Sequence, residues 1–128
     1  MKRVTGIGGV FFKARDPDEL KAWYVRYLGL PLRPDGEVMF EWREGEEPDR
    51  QVATVWAPFP RNTDYFEPSQ SPFMINYHVA DLDGLLAQLR REGVEVEDRV
   101  DEYPYGRFAW IMDPEGNRVE LWEPPERD

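Results

Sequence analysis

The stretch Asp113-Pro114-Glu115-Gly116-Asn117-Arg118-Val119-Glu120-Leu121-Trp122 decides how the end of the chain is built. Its first five residues spell a tight hairpin turn. Asp113 suits the first turn position, Pro114 presets φ at the second, and Gly116 can take the left-handed conformation that closes it. The next five residues alternate. Val119 and Leu121 fall on one face of a strand; Arg118, Glu120 and Trp122 fall on the other. Glu120 is therefore a mid-strand carboxylate between apolar residues. Either that face is open to water and its charges are solvated, or Glu120 points into a pocket.

Outward from this strand, residues 107–112 form the other arm of the closing hairpin, and Val94–Val100 begins the last set of strands. Upstream, Phe73–Ala80 reads as a strand. Asp81 then caps a helix with Leu82, Leu85, Leu86 and Leu89 on one stripe, ended by Gly93. The first half repeats this plan. Residues 4–14 alternate as a strand, with Val10, Phe12 and Ala14 on one face and Gly9, Phe11 and Lys13 on the other. The adjacent glycines Gly8 and Gly9 weaken a strand and point to a close backbone approach. Asp16-Pro17-Asp18-Glu19 opens a helix with a cap, a proline at the first helical position and an acid three residues after the cap. Leu20, Trp23, Tyr24, Tyr27 and Leu28 make its expected buried stripe, and Gly29 stops it. Residues 37–43 and 51–57 are strands around a polar loop, Glu44–Arg50.

The chain is written twice. Asp16 and Asp81 are 65 residues apart, and Gly29 and Gly93 are 64 apart. Phe40-Glu41-Trp42 echoes Phe108-Ala109-Trp110, and the run from Val52 to Pro58 echoes that from Arg118 to Pro124. The expected layout is one domain over 1–128: a module at 4–57, a proline-rich linker at 58–72, and a second module at 73–124. One helix cannot cover its own small sheet, but two modules side by side can.

With "ARDPDELKAWYVRYLGL", "VADLDGLLAQLRREGVEV" and "DPEGN" followed by Glu120, the chain resembles the vicinal oxygen chelate superfamily, which includes glyoxalase I, bleomycin-resistance proteins and extradiol dioxygenases. The resemblance runs from Gly8 to Pro124. It implies an α+β fold of two tandem βαβββ modules forming a cup-shaped sheet with helices outside, often as a homodimer. It also implies a divalent metal in the cup, held by His, Glu or Gln from the first and last strand of each module and acting as a Lewis acid. The matching positions here are Gly9, Met74, Glu120 and Thr54, with Trp56 in place of Thr54 if the repeat slips. Only Glu120 is an ordinary ligand, since a thioether suits hard divalent ions poorly. His78 is the only histidine and lies about 13 Å along the strand from Met74. The expectation is no metal and no other cofactor.

In its place stands a set of aromatics with one acid. Phe11, Thr54, Trp56, Met74 and Trp122 line the expected cup, with Trp110 a candidate whose strand face the alternation leaves open and Tyr105 at the rim. Apolar walls with few polar groups are a recurrent ligand-site composition. The first functional reading is a metal-independent lyase or isomerase acting on a small oxygenated molecule. Glu120 would be the base, its pKa raised by apolar surroundings, and Asn76 and Arg107 would bind a developing oxyanion. The alternative is a non-catalytic binder of the bleomycin-resistance type; a second alternative is a metalloenzyme with an unusual ligand set around Glu120. An acid with no cation beside it serves stability badly, so Glu120→Gln is expected to leave stability equal or higher.

The totals narrow the partners. A formal net charge of −10 repels phosphate backbones and disfavours nucleic acid. No apolar run nears the ~20 residues of a membrane span. With no cysteine there is neither a disulfide nor a thiolate metal site. No signal-peptide core precedes Phe12, which leaves a cytoplasmic protein as the expectation.

Overall fold

The computed structural model of the protein describes residues 3–44 and 47–125. The elements are β1 (Val4–Ala14), α1 (Pro17–Leu28), β2 (Val38–Glu44), β3 (Glu47–Pro60), β4 (Phe73–Val79), α2 (Leu82–Arg91), β5 (Val96–Tyr103), β6 (Gly106–Met112) and β7 (Arg118–Glu123). They form one open mixed sheet in the order β2-β3-β1-β4-β7-β6-β5. The modules meet at the antiparallel β1–β4 pair. Parallel pairs flank it on both sides, β3 beside β1 and β7 beside β4. The fold is the α+β arrangement implied by the sequence. Of the polar loop expected at Glu44–Arg50, residues 45 and 46 lie outside the described residues; β3 begins at Glu47 and runs on to Pro60. No helix among the described residues is long and apolar enough to cross a membrane.

Alternation gives the sheet two distinct faces. The outer face carries the helices. There Val119 and Leu121 pack with Val79, Leu82, Leu85, Leu86 and Ala109. The inner face gathers Phe11, Met74, Phe108 and Trp110, closed over by Phe66 from the segment after β3. Thus Arg118, Glu120 and Trp122 do share the face opposite Val119 and Leu121.

Both helices start as the sequence dictates. Asp16 Oδ1 accepts the Glu19 N–H at 3.1 Å, and Asp81 Oδ1 accepts the Gly84 N–H at 3.1 Å. Gly29, at φ 68°, returns its N–H to the Val25 carbonyl and ends α1. The expected stripe of α1 is not buried, however. Trp23, Tyr27 and Leu28 are 50, 59 and 62 % exposed, and no residue of α1 is fully buried. Module 2 lays three strands, β5 to β7, beside β4. In module 1 the counterpart of β5 shrinks to a single bridge, Leu32 to Val38. Helix α1 therefore has a narrower floor, which it meets mainly through Tyr24 on Trp56, centroids 4.8 Å apart.

The closing turn forms as expected. Gly116 N–H donates to the Asp113 carbonyl at 3.1 Å with Gly116 at φ 81°. Asp113 Oδ1 accepts from the backbone N–H groups of Glu115 and Asn117, and Oδ2 accepts from the Asn117 amide. These bonds, those of Asn117 first, hold the Asp113 carboxyl below the usual carboxylate range. The turn fixes where β7 begins, and so the register of Glu120.

Candidate functional site

The register stacks the inner face into rows. One row runs Gly9–Asn76–Glu120–Trp110, each residue directly across from the next. The row on one side of it is aromatic: Gly6, His78, Trp122 and Phe108. On the other side lie Phe11 and Met74, with Arg118 two residues before Glu120 on β7.

Glu120 is the centre of the polar row and only 2 % exposed. Three groups donate to it. Asn76 Nδ2 reaches Oε1 at 2.5 Å, Trp110 Nε1 reaches Oε2 at 2.9 Å, and the Tyr65 hydroxyl also donates to Oε2. Asn76 and Trp110 come from the neighbouring strands. Tyr65 comes from the segment after β3 and stacks flat on Phe59, 7° between ring planes. Burial, and then the Glu120 carboxylate beside it, push the Tyr65 phenol far above its usual range, so it stays protonated and donates.

Arg118 holds that segment in place. Its Nη1 donates to the Tyr65 carbonyl at 2.6 Å, while Nε and Nη2 form a two-pronged pair with Glu97, both at 2.8 Å. The guanidinium also lies 4.7 Å from the Trp110 ring centroid, opposite no other charge than Glu97 among its bonded partners. Hydrogen bonds from Arg118 hold the Glu97 carboxyl below the usual range.

The glycines of β1 make room. A Cβ on Gly8 would collide with Asn76 Oδ1 and touch Trp122; one on Gly9 would strike the Phe11 ring; one on Gly6 would strike Trp42. The close approach expected at Gly8–Gly9 is made at Gly8 by Asn76 and Trp122 of the opposite module and at Gly9 by the Phe11 ring of β1 itself. Asn76 is 1 % exposed, and its Oδ1 has no hydrogen-bond partner among the described residues. It is a buried acceptor beside Trp122.

The aromatic row is continuous. Trp122 stacks on His78 at 4.6 Å and on Phe108 at 5.5 Å. Trp42 meets His78 edge-on, and Tyr105 meets Phe108 edge-on. His78 is a structural member of this row; its Nε2 lies 2.8 Å from the Ala53 carbonyl. Tyr105 is exposed, stacks on Tyr103, and accepts the Trp122 indole N–H through its carbonyl, a position at the edge of the aromatic row.

Of the residues singled out from sequence, Phe11, Met74, Asn76, Trp110, Glu120 and Trp122 come together here. Three do not. Arg107 points to the outer face, paired with Asp83 of α2 at 2.9 Å and with Glu102 at 3.2 Å, because β6 alternates and Phe108 and Trp110 take the inner side. Trp56 packs on Phe12 and Tyr24, under α1. Thr54 is tied to the Trp42 indole N–H at 2.8 Å and donates to the Ile7 carbonyl. The sequence echo had aligned Thr54 with Glu120. The strand pairing instead sets Asn76 against Glu120 and Phe11 against Ala57, so Ala57 takes the place equivalent to Glu120. The sequence reading missed Tyr65, Arg118 and Glu97. The adjacent aromatics Tyr65-Phe66 in a polar connection, and the parity of Arg118 with Glu120, were the signals present.

These residues do not fit a divalent ion. Both oxygens of Glu120 face N–H and O–H donors, Met74 offers a thioether, and Gly9 and Ala57 offer nothing. Among the described residues no group of three or more His, Asp or Glu side chains lies close enough to share one.

Comparison with known proteins bears on the fold and the family. Residues 9–122 match the family model described as glyoxalase-like domain. Among solved structures, methylmalonyl-CoA epimerase from Mycobacterium tuberculosis is 22 % identical, with 98 % of this chain and 92 % of that one covered and a TM-score of 0.63. Methylmalonyl-CoA epimerase from Streptomyces coelicolor, in complex with 2-nitronate-propionyl-CoA, is 17 % identical with a TM-score of 0.68, covering 96 % and 99 %. A Legionella pneumophila structure described as an NAD-dependent benzaldehyde dehydrogenase is 13 % identical with a TM-score of 0.58, covering 91 % and 98 %. No curated protein matches. At these identities the structural likeness carries the fold alone, while the family model covers most of the chain. The chain belongs to the glyoxalase-like domain family, within the vicinal oxygen chelate superfamily.

Proposed function

We propose that the inner face binds a small planar molecule carrying an N–H or O–H donor, and that no divalent metal acts at Glu120. The observation that carries this reading is the donor set on Glu120. With Tyr65, Asn76 and Trp110 all donating, the carboxylate orients a polar row instead of offering lone pairs to an ion. That leaves Asn76 Oδ1 as the buried acceptor beside the His78–Trp122–Phe108 row. Contact with the ring edges supplies affinity, and the acceptor supplies orientation.

The test combines two measurements. Elemental analysis after mild purification should find no stoichiometric divalent ion. Ligand-observed NMR with phenol, salicylamide and quinolinone should find saturable binding that Trp122→Ala abolishes. One equivalent of Zn, Ni, Mn or Fe lost on Glu120→Gln would overturn the metal part. Binding that ignores Trp122→Ala, or no binding at all, would overturn the binding part.

A second reading is a metal-independent isomerase or lyase with Glu120 as base. The likeness to methylmalonyl-CoA epimerases favours it, as does the origin of Tyr65, the one donor to Glu120 from outside the sheet. Displacing Tyr65 would bare one lone pair of Oε2. Incorporation of solvent deuterium into methylmalonyl-CoA, lost in Glu120→Gln, would select this reading over simple binding. No exchange at high protein concentration would eliminate it for that substrate.

A further inference from the structure

A groove of about 520 Å³ lies between the end of β1, the start of α1 and Arg61, and Glu120 is not among its lining residues. Lys13, Arg15 and Arg61 line it together with Trp23 and Tyr24. Positive charge is scarce in this chain, with 16 Lys and Arg against 26 Asp and Glu. Five arginines elsewhere are paired with a carboxylate: Arg3 with Glu92, Arg33 with Asp35, Arg99 with Asp101, Arg107 with Asp83 and Arg118 with Glu97. The three cations of the groove are not among these pairs. Among the described residues none of them has a carboxylate partner, and Lys13 has only the Phe66 ring, 5.8 Å away.

Two acids also border the groove, Asp16 and Glu19. Asp16 is committed to the helix cap through the Glu19 N–H. The cations still outnumber the acids, three to two. Beside them Trp23 is half exposed and meets Tyr24 edge-on at 5.2 Å, so an indole is open to solvent next to the cations.

We propose that this groove is a binding site for a ring-bearing anion: an aryl phosphate, sulfonate or carboxylate. Arginine forks match the oxygens of such groups, and among the described residues none of the three cations is held by a carboxylate that would compete for them. The ring stacks on Trp23. The volume lies within the roughly 300–1,000 Å³ typical of small-molecule sites. The groove shares no lining residue with the polar row around Glu120, and the proposal does not rest on the reading given above for Glu120.

Calorimetric titration of the full chain with phenyl phosphate tests it. Saturable binding is expected, weakened at least tenfold by Arg61→Glu and by Lys13→Glu, weakened by Trp23→Ala, and unchanged by Trp122→Ala. Inorganic phosphate should bind at least tenfold more weakly than phenyl phosphate. Arg61 and Trp23 are exposed, so these variants should fold, and their circular dichroism should match the parent. Absence of saturable binding to the parent protein would overturn the proposal. So would binding indifferent to Arg61→Glu, binding lost in Trp122→Ala, or equal affinity for inorganic phosphate.

Discussion

Helices α1 and α2 begin alike and end in different surroundings. Each is capped by an aspartate in nearly the same backbone conformation, φ −136° and ψ 90° at Asp16, φ −137° and ψ 92° at Asp81. Helix α2 then buries Leu82, Leu85 and Leu86, whereas α1 buries none of its residues fully. The difference lies in the sheet beneath. Module 2 has a complete set of strands, and module 1 has a bridge at Leu32 where the matching strand would be. The inner face is divided as unequally. Module 2 supplies Asn76, Trp110, Arg118, Glu120 and Trp122, while β1 supplies chiefly the missing side chains of Gly6, Gly8 and Gly9. A duplicated plan has thus been split into one half that holds the core and the polar row, and one half that leaves space.

The largest effect should fall on the buried helix. Leu86→Ala is expected to cost about 2–5 kcal/mol, the range for truncating a buried leucine. Chemical denaturation with a single transition measures it. A loss below about 1 kcal/mol would mean that α2 is no better packed than α1, and the contrast between the modules would fail.

The next effect concerns Glu120, where the structure reverses the sign expected from sequence. The sequence placed an acid in an aromatic environment with no partner in view, so replacing it by glutamine looked harmless. Three donors surround it instead. A glutamine has one oxygen, which can satisfy Tyr65 and Trp110, but its NH₂ then faces Asn76 Nδ2. Asn76 must turn its amide, leaving Nδ2 rather than Oδ1 against Gly8. The expected cost of Glu120→Gln is about 1–3 kcal/mol, that of unsatisfied buried polar groups. A melting temperature equal to or above the parent's would return Glu120 to an unpartnered role.

That reversal marks what the sequence carried and what it did not. Local signals held wherever the chain itself determines them. The aspartate caps, the Asp113–Asn117 turn and the alternation of β7 all formed as read, because each depends on residues a few positions apart. The α+β plan of seven strands and two helices also formed, although module 1 lacks the third strand that the repeat implied. What failed depended on partners distant in sequence. The α1 stripe has helical spacing, but whether it is covered depends on the width of the sheet below. The Thr54–Glu120 alignment followed a similarity of letters, and the actual register is set by pairing with β1 and β4. Tyr65 sits in a segment without periodicity, so nothing local tied it to an acid 55 residues away.

A smaller, pH-dependent effect should separate the modules further. Arg118 holds the Glu97 carboxyl below its usual range in the folded protein. A depressed folded pKa gives stability that is fully present above the unfolded carboxylate range, and it is lost as pH falls through the folded value. Acid unfolding of the parent should therefore steepen below the usual carboxylate range. Glu97→Gln should flatten that limb while lowering stability at neutral pH. Asp113 acts in the same direction through the closing turn, so Glu97→Gln is expected to remove part of the acid dependence only. An unchanged acid limb in Glu97→Gln would show that the Arg118 pair does not report on folding.

The smallest effect on the isolated fold is expected at Leu28. It is 62 % exposed at the end of α1, close in sequence to the exposed Tyr27 and Leu32. Leu28→Gln should shift stability by no more than about 0.5 kcal/mol, as for surface substitutions away from packed features. The same variant probes the homodimer suggested by the family resemblance. Module 1 leaves Tyr27, Leu28 and Leu32 uncovered, and burying such residues against a second copy would supply what its narrow floor does not. Light scattering across a concentration series should then give twice 15.1 kDa for the parent and a shift toward 15.1 kDa for Leu28→Gln. A parent that stays at 15.1 kDa throughout would refute the dimer. A dimer indifferent to Leu28→Gln would place the interface elsewhere, at an open sheet edge such as β5 or β2, and would leave the α1 stripe as surface that module 1 tolerates.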